Sequence, residues 1–213
     1  MFGLDGVCDL KPLERLGEPL EIMASGLAVK QYPCCGGLHS ALDLVLGIKE
    51  KEGIRSEQVK EIECKVNAHR IPYNNRPRVR GGLEGKFSFQ YTVATALVDG
   101  RVGLTHFPND LLVRPEVQRL MDKVRLVPGE GFGEFACELT IQMVDGRRVT
   151  RKVSEAKGSP AFPLTESQIL RKFIDCASVM LATGKAEQAG RAIMNLEQEE
   201  RAGRVLGLLC QQG

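Results

Sequence analysis

Apolar residues recur along this chain with two periods, and the switches between them mark out its elements. After Gly36-Gly37, Leu38, Ala41, Leu42, Val45 and Leu46 stand at i, i+3, i+4, i+7 and i+8, the stripe of an amphipathic helix that Gly53 ends. Before it, residues 27–32 read as a short strand closed by Pro33. In residues 61–66, Ile62, Cys64 and Val66 alternate as one face of a strand does. Residues 67–85 form an irregular polar loop. Phe87, Phe89, Tyr91 and Val93 then keep period 2, whereas residues 94–98 favour a buried helix, so periodicity leaves this segment open until Asp99-Gly100 closes it. Pro115 suits the first turn of a helix with the stripe Val117, Leu120, Met121 and Val124. Phe135, Cys137, Leu139, Ile141 and Met143 alternate, Asp145-Gly146 signals a type I′ turn, and residues 149–153 return, which predicts a hairpin. Thr165 and Gln168 make a capping-box pattern ahead of the apolar face Ile169, Phe173, Cys176, Ala177 and Met180. Helices around residues 185–196 and 202–210 end the chain.

Strands and helices in this order predict an α+β fold rather than a βαβ series. Residues 1–26 read as a lead-in, 27–158 as an α+β domain with a mixed or antiparallel sheet, and 159–213 as a helical tail. A chain of 213 residues can bury one substantial core. A net charge of +2 gives no global field that demands nucleic acid or membrane, and neither is expected as a partner. No apolar run approaches a membrane span, and Met1–Gly6 lacks the basic and apolar regions of a secretory signal. Seven scattered cysteines, with only Cys34 and Cys35 adjacent, read as reduced thiols in a cytosol-like compartment. No metal-ligand spacing is present, so neither metal nor cofactor is expected.

The candidate chemistry gathers at residues 30–39, Lys-Gln-Tyr-Pro-Cys-Cys-Gly-Gly-Leu-His. A strand-to-helix junction would point helix N-terminal amides at an anion, with Lys30, two thiols and His39 beside them. Lys30 is either a solvated lysine or a cation that binds a carboxylate and exchanges a proton. Cys34 and Cys35 are either small buried hydrophobes or thiols activated by the helix end. His39 stands four residues before Asp43 and is more often a packed histidine than a catalytic one; His69 and His106 have no recognisable partner. Residues 65–86 carry Lys65, Arg70, Arg76, Arg78, Arg80 and Lys86 against the single acid Glu84. A solvated loop is the first reading, and a segment that steers a polyanionic small molecule the second. Tyr91 reads as core, with a hydroxyl aimed into a pocket as the alternative.

Three stretches carry a resemblance: residues 30–39; Gly82-Leu-Glu-Gly-Lys-Phe-Ser-Phe-Gln-Tyr91 running on to Gly100; and Pro163-Leu-Thr165 with Leu170-Arg-Lys-Phe173-Ile-Asp-Cys176-Ala177. Together they resemble the C-terminal half of the 2-methylcitrate dehydratase (MmgE/PrpD) family, which includes cis-aconitate decarboxylases and iminodisuccinate epimerases. The resemblance implies an α+β lid that closes over a site in a large helical domain, with terminal helices that pack back on that domain. It implies Lys30, Cys35 and Tyr91 as catalytic residues; Lys86, His39 and Arg80 are the substrate-binding residues expected beside them. It further implies a metal-independent lyase or isomerase for a small di- or tricarboxylate, of carbon–oxygen lyase type. A homodimer is implied for the complete enzyme, in the cytoplasm, or in the mitochondrial matrix if the source is eukaryotic. The family's helical domain has no counterpart in these residues, so a helical-domain partner or N-terminal region is expected, and the isolated chain is expected to be inactive. The alternative is a non-catalytic remnant or interaction subunit.

Overall fold

The computed structural model describes residues 11–210. Its sheet is mixed, in the order β2-β1-β3-β4. Strand β1 (Val59–Val66) runs parallel to β2 (Val124–Pro128) and antiparallel to β3 (Cys137–Met143), which pairs with β4 (Arg148–Val153). The two edges are blunted, β2 by Pro128 and β4 by Arg148, Arg151 and Lys152, which discourages pairing with other strands. Helices α1 (His39–Glu52) and α2 (Phe89–Asp99) pack on each other, α1 across β3 and β4 and α2 against β2. Leu42, Val45 and Ile48 of α1 share one buried cluster with Phe89, Val93 and Leu97 of α2, Ile62 and Cys64 of β1, and Leu139 and Ile141 of β3. Each such large side chain contributes roughly 1.5–3 kcal/mol on burial. A surface pair such as Arg78–Asp122 is worth at most about 1 kcal/mol, so the core decides this fold.

The open segment resolves as helix. Ser88 caps α2 by accepting from the Tyr91 amide, and every residue from Phe89 to Leu97 is buried. A helix covered on all sides has no polar face, which is why neither period dominates its sequence. Four expectations need correction. Residues 27–32 are not a strand, because the Val29 amide donates to the Gly158 carbonyl at 2.8 Å and no ladder continues from it. Val124 leaves the stripe of α3 (Pro115–Met121) and opens β2, the strand missed in sequence. The polar loop contains the single turns Ile71–Asn74 and Gly82–Gly85. The hairpin turn is not type I′, since Asp145 lacks the positive φ that type demands. Instead the Gly146 amide donates to Met143, and Gly146 alone takes a left-handed φ of 90°.

After a Ser159–Phe162 bridge, the described part of the tail holds three helices, α4 (Glu166–Ala177), α5 (Thr183–Met194) and α6 (Ala202–Leu209). The capping box forms as read, with Thr165 accepting from the Gln168 amide and Gln168 from that of Thr165. Gly190 lets α4 and α5 touch, since a Cβ there would meet Leu170 at 2.6 Å. Lys172, Asp175 and Cys176 of α4 lie beside Gln31, Pro33 and Leu104. Of the lead-in, residues 1–10 lie outside the described residues. No described helix is long and apolar enough to cross a membrane.

Candidate active site

The segment before α1 has no ladder to hold it, and side chains of α1 do so instead. Asp43 accepts from the Tyr32 hydroxyl at 2.9 Å and from the Lys157 amide at 3.0 Å, tying residues 30–34 to the loop after β4. Burial raises the carboxyl of Asp43 and the phenol of Tyr32, each partly offset or reinforced by the other. Ser40 adds a bond to the Phe135 carbonyl at 2.5 Å. On the opposite side, the Cys35 amide donates to the Lys86 carbonyl at 2.9 Å, fixing the cysteine beside the Gly82–Gly85 turn. Fully buried Asn74 closes this corner. Its amide donates to the Phe87 carbonyl at 3.1 Å and its oxygen faces the Cys35 Sγ at 4.0 Å.

These contacts leave an open depression of about 380 Å³, lined by Lys30, Tyr32, Pro33, Cys34, Cys35, Lys86, Phe87 and Lys172. Three lysines line it and no acidic residue does. Lys86 also rests over the Phe107 ring at 5.5 Å, and the Lys172 Nζ reaches the Cys176 Sγ at 3.8 Å. Burial pushes the Cys34 thiol up to about 12, with Cys35 adding to the rise and Lys30 and Lys86 opposing it. Cys34 is therefore a protonated thiol at neutral pH. The helix-end amides predicted to face an anion are partly spent, because those of Cys34 and Cys35 bond to Tyr32 and Lys86.

The structure brings Lys30, Cys35 and Lys86 together and leaves three other candidates out. Tyr91 lies in the core at 0% exposure. Its hydroxyl donates to the His106 carbonyl and its ring tilts against Phe107. Burial raises its phenol, and Tyr91 does not line the depression, so within the described residues it packs as core. Arg80 is exposed on its loop, its amide bonded to Glu84 at 2.7 Å, and it does not line the depression. Its neighbours are engaged elsewhere, Arg78 with Asp122 at 2.6 Å and Arg76 over Phe87 at 5.7 Å. His39 is buried edge-on against Tyr32 and borders, with Lys30, a separate hollow of about 340 Å³ beside Phe135 and Ala156. Sequence reasoning missed Lys172 and Asn74. Asn74 gave no signal, and Lys172 reaches the site only through the packing of α4. Among the described residues no group of three His, Cys, Asp or Glu side chains is placed to hold a metal ion.

His39 carries a measurable consequence. Its Nε2 is buried without a partner, and burial pulls the imidazole down to about 4, with repulsion from Lys30 and Lys172 in the same direction. The unfolded chain takes up this proton below pH 6.5 and the folded chain only near pH 4. Stability from this group is therefore complete above pH 6.5 and falls as pH drops toward 4, by up to about 3 kcal/mol. The raised carboxyl of Asp43 acts in the opposite sense, so the comparison with His39→Gln isolates the histidine. Urea unfolding between pH 7 and 4 should show a flatter pH dependence for the variant. Parallel curves would mean that His39 titrates normally.

A model of the MmgE/PrpD C-terminal domain matches residues 32–198. The chain belongs to the MmgE/PrpD family. It is 27% identical over 183 residues to the cis-aconitate decarboxylase of Homo sapiens, covering 82% of this chain and 38% of that protein. It is 26% identical over 184 residues to the enzyme of the same name from Mus musculus, covering 82% and 37%. A cis-aconitate decarboxylase-like protein of Aspergillus oryzae is 23% identical over 203 residues, covering 89% and 42%. The MmgE/PrpD chain thus spans about two-fifths of the length of the curated relatives it matches.

Proposed function

We propose that this chain supplies the carboxylate-binding wall of a lyase site for a small di- or tricarboxylate, of the kind that cis-aconitate decarboxylases use. The observation that carries the reading is the depression that Lys30, Lys86 and Lys172 line together with Cys35 and no acidic residue. Decarboxylation breaks a carbon–carbon bond, releases CO2 and leaves the electron pair on the substrate, spread into a neighbouring carboxylate. A proton must then reach carbon. Fixed cations stabilise that charge where it develops, and a nearby acid supplies the proton. Lys30 is assigned to hold the substrate carboxylate, Lys86 to neutralise a second, and Cys35 to face the reacting carbon. The names of the relatives favour decarboxylation over the dehydration and epimerisation that the sequence resemblance also implied. The 27–158 region acts as the lid and the 159–213 helices as the part that packs on a helical domain.

Calorimetric titration of the 213-residue chain with cis-aconitate tests the wall. Weak binding is expected, and Lys30→Ala should cut the affinity at least about tenfold while leaving the circular dichroism unchanged, since Lys30 is exposed and supports no core contact. Undiminished binding by the variant would remove Lys30 from the site.

A further inference from the structure

We propose that Lys172 is a specificity-determining residue, through which the depression selects tricarboxylates over dicarboxylates. The inference rests on the carboxylate-binding wall described above and adds the role of α4. The three lysines arrive from separate parts of the chain: Lys30 from the segment tied to Asp43, Lys86 from the end of the Gly82–Gly85 turn, and Lys172 from α4. All three line the one depression. Electrostatics agree with that placement, since Lys30 and Lys86 both act on the Cys34 thiol, and Lys30 and Lys172 both act on the His39 imidazole. Among the described residues none of the three makes an ion pair. Asp175, the acid nearest in sequence to Lys172, does not line the depression, although it shares with Lys172 the smaller hollow beside Gln31 and Leu104.

Three like charges lining one depression repel each other. A dicarboxylate can neutralise two of them and leaves the third uncompensated. A third carboxylate on the same ligand removes the remaining repulsion and adds a charge-assisted contact. Lys172 is half-buried, so the contact is partly screened by water, and its effect on affinity is roughly fivefold. The geometry therefore makes the tail helix a reader of carboxylate number, whereas Lys30 and Lys86 bind either class.

The test uses two unreactive acids that differ by one central carboxylate, propane-1,2,3-tricarboxylate and glutarate. Each is titrated calorimetrically into the full 213-residue chain. The expected wild-type preference is about fivefold for the tricarboxylate. Lys172→Gln should weaken the tricarboxylate alone and bring the ratio near one, and Lys172→Arg should keep most of the preference. A glutamine variant with an unchanged ratio overturns the assignment, as does one that weakens both acids equally, because a merely structural or diffuse electrostatic role would do that. A wild-type chain that binds neither acid overturns the inference and the carboxylate-binding wall together. If Lys30→Ala abolishes binding of both acids while Lys172→Gln leaves the ratio intact, only the role of Lys172 falls.

Discussion

Gly158→Ala is expected to lose both stability and the site, because one glycine holds the segment that carries Lys30. Gly158 has a φ of +86°, a region that side-chain-bearing residues avoid, and a Cβ there would stand 2.1 Å from the Val29 carbonyl oxygen. The same residue accepts the Val29 amide at 2.8 Å, the one backbone bond fixing residues 27–30 to the loop after β4. The alanine methyl cannot be absorbed by a flexible side chain, since what it meets is backbone. Either Val29 moves, taking Lys30 with it, or Gly158 leaves its left-handed conformation and drops the bond. The combined cost is about 2–4 kcal/mol. Gly146→Ala is the control. It has a comparable φ of +90° and open space around its Cβ position, so only the conformational penalty of about 1 kcal/mol applies. Urea unfolding should separate the two variants by more than 1 kcal/mol. Binding of cis-aconitate by the folded fraction should survive in Gly146→Ala and fall about tenfold in Gly158→Ala. Equal losses of stability and intact binding in both would show that residues 27–30 hold their place without Gly158.

Legibility in the sequence followed the physics of each element. The stripe of α1 and the alternation in β1 were readable because each has a buried and a more open face, and the capping box of α4 because it is set by two residues three apart. α2 resisted because burial on every side erases periodicity. β2 was lost because five residues with a parallel partner far along the chain carry no hairpin signal. For the candidate site, the grouping of Lys30, Cys35 and Lys86 along one depression was legible because two short motifs hold them, and the Cys35–Lys86 backbone bond joins those motifs. Tyr91 read as core from its apolar surroundings, and the helix turns its ring toward Phe107, away from the depression. Lys172 was invisible because its place depends on where α4 docks, a property of the tail's packing rather than of its own sequence neighbourhood.

The 213-residue chain alone is expected to bind carboxylates weakly and to release no CO2 from cis-aconitate, and turnover should appear only when a helical domain of the family's kind is supplied. The reason is geometric. The lysines form one wall of an open depression, and the opposite wall, with whatever acids and bases would move protons across the substrate, has no counterpart among the described residues. Cations on one side can hold a carboxylate but cannot exclude water or align a proton donor on both faces of the reacting carbon. The tail supports the same expectation from its surface. Val179, Met180, Leu196, Leu206 and Leu209 are all exposed, on and around helices whose other faces pack against each other. Large apolar side chains left in water on one segment favour association, so sedimentation should show oligomers that Met180→Glu with Leu206→Glu reduces toward monomer. Co-expression with the helical domain of a relative should yield a soluble complex, and labelled CO2 release from it should depend on Lys30. A complex that forms yet stays silent would favour the interaction-subunit reading. A monomer of the unaided chain that decarboxylates cis-aconitate would show that one wall is enough for the chemistry.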